Sequence, residues 1–253
     1  MEITRSVLIC SVPRTGSWLL AEALEETGRC GHPREYFRTD YESIYAREWK
    51  LPAGHDFAAY LAAVRRAGST PNGVFATKLH WEQYAAALPR LRSLSPPGRA
   101  ADDLLRDHFP APVLVRLHRT DTAAQAVSWY RAIHLDVWWQ LDDPTARPDD
   151  RLPGEPDLAE IERLERRIID QDEQWAALLA DTALDLVLVT YEELSADYPA
   201  AVARVLAAAG LPGVPPPAGP VRLRRQADEV SRAWTDRYLR HRDREPGPCV
   251  RTC

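Results

Sequence analysis

Val7-Leu8-Ile9-Cys10-Ser11-Val12-Pro13-Arg14-Thr15-Gly16-Ser17-Trp18-Leu19-Leu20 decides how the chain is read. A short apolar run, the length of a buried strand, meets a tight loop carrying one glycine, one arginine and hydroxyls. The loop opens a helix whose Leu19, Leu20, Ala23 and Leu24 share one face. Such a junction suits an anion. The first amides of a helix have no partner within it, and the aligned peptide dipoles place roughly half a positive charge there. Gly16 allows close backbone approach, Thr15 and Ser17 bring hydroxyls, and Arg14 adds a fixed cation. The loop lacks the Gly-x4-Gly-Lys-Ser/Thr pattern of nucleotide triphosphatases. It therefore points to a phosphate or sulfate ester handled by a different enzyme class.

Three further runs resemble the first: Gly73–Lys78, Val113–His118 and Leu186–Thr190 are short, apolar and rich in β-branched residues. Helical patterns lie between them, which predicts a parallel sheet with helices on both faces. The clearest helix spans Leu158–Leu179, where Leu158, Ile161, Leu164, Ile168, Trp175 and Leu178 form one stripe. A second starts after Asp121 as N-cap, and a third covers Pro199–Ala209 and ends near Gly210. Ser93–Arg99, the proline- and carboxylate-rich stretch Asp142–Asp157 and Leu211–Pro220 read as loops, the second of them mobile. The strands on either side of these loops look like one sheet, so residues 1–253 are expected to form a single domain, with a disordered tail from about 244.

The chain of 253 residues is long enough for one large α/β domain. Its net charge of −5 gives no bulk reason to expect nucleic acid as a partner. Cys10, Cys30, Cys249 and Cys253 have neither metal-site nor disulfide spacing, so a reduced, cytoplasmic protein without a metal is expected. Neither a membrane span nor a signal peptide is legible.

Several residues beside the loop could carry chemistry. Glu35 sits between Arg34 and the aromatics Tyr36 and Phe37. Aromatic walls raise a carboxyl's pKa and suit it to general-base work, whereas a surface Glu35 would simply pair with Arg34. Arg119 follows a strand's carboxyl end, where doubly wound sheets bind ligands, and Ser128 lies two turns into the next helix. The pair could hold a second phosphate; alternatively Arg119 pairs with Asp121 and Ser128 bonds to its own helix. Leu223–Trp234 reads either as a flap over a nucleotide or as an exposed basic helix. Trp81, Trp129, Tyr130, Trp138 and Trp139 could stack on a sugar or fill the core.

Together these segments resemble the PAPS-dependent sulfotransferases, PAPS being 3′-phosphoadenosine 5′-phosphosulfate. A closer similarity is to the bacterial trehalose 2-sulfotransferase (Stf-zero type) group. It rests on Arg14-Thr-Gly-Ser17, Gly31-x-Pro-x-Glu-Tyr-Phe37, Pro71-Asn-Gly-Val74 with Lys78-Leu-x-Trp81, and His118-Arg-x-Asp121. Gln125-Ala-Val-Ser128, Arg131-Ala132, Arg225-Gln-Ala-Asp228, Ser231, Trp234 and Arg237-Tyr238 continue it, so it covers about residues 5 to 240 in order.

The resemblance implies a three-layer α/β/α fold with a central, mainly parallel sheet and a P-loop-like phosphosulfate-binding loop. It implies Glu35 as general base, and Arg14 with Thr15, Gly16, Ser17 and Trp18 around the 5′-phosphosulfate. Arg119 and Ser128 would hold the 3′-phosphate, with Arg225 and Gln226 near the nucleotide. Lys78, Trp81 and Tyr36 would lie near the sulfuryl group or the acceptor. It implies PAPS as donor, PAP as product and no metal. The acceptor would be a hydroxyl of a trehalose-like sugar or of a glycosylated or hydroxylated metabolite, and the protein a homodimer. Trp18 departs from the family, standing where a small hydroxyl residue is usual, and His32 replaces an acidic or other residue. The competing readings are a nucleoside phosphate kinase or ATPase, and a non-catalytic PAP-binding domain.

Overall fold

The computed structural model describes residues 2–135, 154–217 and 229–244. Trp138, Trp139, Arg225, Gln226, the expected loop at 142–157 up to residue 153, and the tail beyond Arg244 lie outside the described residues. The chain divides into two units, the first built from 1–118 and 171–221, the second from 119–170 and 222–253.

All four expected strands form, slightly longer than their apolar cores: β1 Arg5–Ser11, β2 Val74–His80, β3 Pro112–His118 and β4 Asp185–Thr190. They make one parallel sheet in the order β2-β1-β3-β4. The alternation of side chains splits β1 between two cores. Val7 and Ile9 join Val115 and Leu117 of β3 against Leu20 and Leu24 of α1 (Ser17–Glu26) and Val202, Val205 and Leu206 of α9 (Tyr198–Ala208). On the other face Leu8, Cys10 and Leu114 meet Tyr84 of α4 (Trp81–Ser93), Leu105 of α5 (Ala101–His108) and Trp175 of α7 (Leu158–Leu179). Helices thus cover the sheet on both sides, as the strand–helix alternation predicts. β4 differs from the expected buried strand. It is an edge strand, and its Leu186 and Leu188 are exposed.

The connections also include α2 (Thr39–Glu48), α3 (Phe57–Ala67) and the short α8 (Tyr191–Ala196). Strand order reverses at β1, because the chain first crosses to β2 on one side and then to β3 on the other. The carboxyl end of β1 is therefore the switch point at which open α/β sheets place their ligands.

The outer edge of β2 receives the segment after α1. Arg34 bridges in parallel to Thr77, and its carbonyl accepts from Lys78 N at 2.9 Å and Thr77 Oγ1 at 3.1 Å. Gly31 makes this close approach possible. Its φ is +71°, and a Cβ there would lie 2.4 Å from the Ala76 nitrogen.

In the second unit, Asp121 caps α6 (Thr122–Leu135) as expected, its Oδ1 accepting from Ala124 N at 2.8 Å. Tyr130 packs edge-on against Trp234 of α10 (Glu229–Arg244), with ring centroids 5.8 Å apart. Buried Glu165 accepts hydrogen bonds from Tyr238, Thr122 and Arg242. Of the stretch Leu223–Trp234, residues 223–228 lie outside the described residues; the rest begins α10, which buries Trp234 and Tyr238 and leaves its arginines exposed.

Gly28 offers an internal control for Gly31. It has a φ of +62° but open space around it. Gly28→Ala should cost about 1 kcal/mol, the penalty for a side chain in left-handed backbone. Gly31→Ala should cost on the order of 3 kcal/mol or more, because strain and collision add. Urea denaturation of the two variants checks the difference.

Candidate active site

The turn after β1 is held in unusual backbone. Arg14 has a φ of +69° and Gly16 of +79°. For a side-chain-bearing residue this region costs about 1–3 kcal/mol and persists only where the surroundings enforce it. Gly16 is required twice over, since a Cβ would lie 2.9 Å from the Tyr191 ring. α1 begins at Ser17 with no capping side chain, and its own ladder starts with Leu20 donating to the Gly16 carbonyl at 3.1 Å. The amides ahead of Leu20 have no partner inside the helix. They and Arg14 form a donor set that fits the oxygens of a phosphate or sulfate ester. The expectation that Thr15 offers its hydroxyl is corrected. Thr15 is fully buried, and its Oγ1 donates to the Val12 carbonyl at 3.0 Å.

Glu35 lies beside β2 because its segment pairs with that strand's edge. Strand alternation puts Lys78 and His80 on one face of β2, and both meet Glu35. Lys78 Nζ is 2.7 Å from Glu35 Oε1, with the two side chains only 4% and 16% exposed. His80 Nε2 is 3.7 Å from the same oxygen, and Arg38 Nη1 is 4.0 Å from Oε2. Gln83 Nε2 donates to Oε2 at 2.6 Å. Gln83 is itself fixed in the first turn of α4, where its Oε1 accepts from His80 N at 3.2 Å. His80 Nδ1 lies 3.1 Å from Ser11 Oγ, tying the cluster back to β1.

Both sequence readings of Glu35 need correction. Arg34 pairs with Glu25 at 2.7 Å, so it does not neutralise Glu35. Nor is the carboxyl pKa raised. Burial pushes it up, but the Lys78 and His80 charges and the hydrogen bonds from Lys78 and Gln83 outweigh burial and hold it at about 2. Burial lowers His80 to about 4 against the opposing charge of Glu35, so its imidazole is neutral at pH 7.

Trp18 joins the two halves of this region. Its backbone belongs to the first turn of α1, while its ring has the Lys78 ammonium 4.8 Å and the Arg34 guanidinium 5.3 Å from its centroid. An aromatic ring in contact with two cations is the physical account of a residue that looks out of place in the loop.

Two other expected contacts turn into packing. Tyr36 is buried, its hydroxyl donates to the His32 carbonyl at 2.8 Å, and its ring meets Tyr45 and Trp49. Trp81 packs edge-on against Trp175, with centroids 5.1 Å apart. In the second unit Arg119 precedes α6 and Ser128 sits within it, both half-buried. The sequence reading missed His80, Gln83 and Arg38. The alternation Lys78-x-His80 and the cap spacing His80-x-x-Gln83 were the available signals.

Because Glu35 is held below its ordinary value of 4.5, its ionised form stabilises the fold fully above that pH. This contribution is lost as the pH falls from 4.5 towards about 2. The stability difference between the wild type and Glu35→Gln, followed by urea denaturation, should be flat above pH 4.5 and shrink below it.

No helix among the described residues is long and apolar enough to cross a membrane, and no group of three or more metal-binding side chains occurs among them. The chain is 35% identical to trehalose 2-sulfotransferase of Mycobacterium tuberculosis, over 92% of this chain and 94% of that protein. It is 32% identical to trehalose 2-sulfotransferase of Mycolicibacterium smegmatis, over 95% and 97%. Among solved structures, a sulfotransferase from Alicyclobacillus acidocaldarius is 13% identical, with 93% of each chain covered and a TM-score of 0.47. Residues 6–241 match the family described as Stf0 sulphotransferase, and the protein is a member of that sulfotransferase family.

Proposed function

We propose that the protein transfers a sulfuryl group from PAPS to a sugar hydroxyl, with a trehalose-like disaccharide as the first acceptor to test. The observation that carries this reading is the ionised Glu35 held next to the loop of β1, where Trp18 reaches Lys78. Family membership supplies the sulfotransferase chemistry and sets aside the kinase and ATPase readings. The two mycobacterial relatives support trehalose as the acceptor.

In this reading Arg14 and the amides of Thr15, Gly16, Ser17 and Trp18 bind the 5′-phosphosulfate. Arg119 and Ser128 bind the 3′-phosphate, and Arg225 and Gln226 lie along the nucleotide. Lys78 faces the sulfuryl oxygens. Glu35 takes the acceptor's hydroxyl proton as the acceptor oxygen bonds to sulfur and the bond from sulfur to the 5′-phosphate oxygen breaks. The electron pair of that bond leaves on PAP, where Arg14 and the helix amides offset the new charge. Sulfuryl transfer resembles phosphoryl transfer in having a loose transition state, so positioning and charge stabilisation supply most of the acceleration. The same reading takes residues 1–253 as one sulfotransferase domain working as a homodimer.

Mass spectrometry of products from PAPS and trehalose, then from PAPS and a wider sugar panel, tests the reaction. Arg14→Ala should lower kcat/KM by about 10²–10³-fold, as loss of an oxyanion donor does. Glu35→Gln should lower it by about 10²–10⁴-fold while the protein still binds PAP, as measured by calorimetry. A protein that binds no PAP overturns the reading, and one that binds PAP but transfers nothing is a non-catalytic binding domain.

A further inference from the structure

Glu35 has both carboxylate oxygens occupied. Oε1 is taken by Lys78 Nζ and Oε2 by Gln83 Nε2. Each oxygen keeps a lone pair for an incoming hydroxyl, but a carboxylate so held is a weak base, and one of its partners has to move away before it takes a proton readily. Gln83 is poorly placed to do so, being buried and tied to the His80 amide at the start of α4. His80 is anchored on Ser11, and Arg38 is bidentate with Asp40 at 2.8–3.0 Å. Lys78 is different. Its ammonium sits on a flexible four-carbon stem, and it already has a second favourable surface, the face of Trp18. Trp18 is also part of the first turn of α1, the stretch whose amides fit an anion.

We infer that Lys78 couples the two substrates. Without donor it masks Glu35, and an anionic donor in the β1–α1 loop draws its ammonium along the Trp18 face, freeing Oε1 to accept the acceptor's proton. The inference rests on the sulfotransferase reading and adds an order to it: the base is competent only after the donor has bound. A buried ammonium follows the stronger anion, and a phosphosulfate brings more negative charge than one carboxylate.

The test follows Glu35 directly in protein labelled with ¹³C at the glutamate carboxyls, the Glu35 signal being the one missing from Glu35→Gln. In the free protein this signal should stay ionised across the acid range in which the protein remains folded. Saturating PAPS without acceptor should raise its titration midpoint by roughly 1–3 units, the effect of losing a close opposite charge. In Lys78→Met the midpoint should already be raised without PAPS and should respond to it by clearly less than in the wild type, because only the donor's own charge then acts. Lys78→Arg should restore the response. If calorimetry shows PAPS bound to the wild type and the Glu35 signal is indifferent to it, the coupling is wrong and the sulfotransferase reading stands. If calorimetry shows no PAPS binding, that reading fails and the coupling falls with it.

Discussion

A buried ion pair beside the sheet edge, Glu35 with Lys78, is the constraint around which this site is arranged. Neither charge would be stable there alone, because a buried ion without its partner costs several kcal/mol. The pair exists because the segment after α1 returns along β2 and hydrogen-bonds to it through Arg34, which sets the reach of the next residue. Gly31 permits that return by leaving room for the backbone of Ala76. A contact between two strand-like segments thus determines where a carboxylate can act.

The parallel sheet does the remaining positioning. Pairing of β1 with β2 puts Ser11 beside His80, so the end of the strand that leads into the anion loop also steadies the imidazole near Glu35. Trp18 closes the circuit from the other side, with its backbone in the loop and its ring against Lys78. Charge, hydrogen bonding and an aromatic face therefore act on one lysine. In a water-poor setting such interactions are strong and sensitive to any new anion.

Much of this architecture is legible in the residues themselves. Four short β-branched runs separated by helical patterns predict the strands, and all four form. Asp121 reads as a cap and caps its helix. The glycine, arginine and helix-start amides of the first loop read as an anion cradle, and the backbone there has the strained geometry that such a turn needs. The ordered motifs identify the family across nearly the whole chain. Helix α2 is less visible, since Ala46 is the one residue of it that is buried.

The sequence by itself determined the α/β class, the place of the anion loop and the membership in a sulfotransferase family, because periodicity, turn chemistry and motif order are local properties of the chain. Only the tertiary structure decided which partners each side chain has. Glu35 stands next to Arg34 and two aromatics in sequence, which suggests a raised pKa, yet in space it meets Lys78, His80 and Gln83, and its pKa falls to about 2. Tyr36 and Thr15 likewise read as ligand-facing and prove to have their hydroxyls bound to backbone carbonyls. The reason is the range of the forces involved. Strand and helix signals act over a few residues, whereas a pKa depends on whatever charges folding brings within a few ångströms, here from residues more than forty positions away.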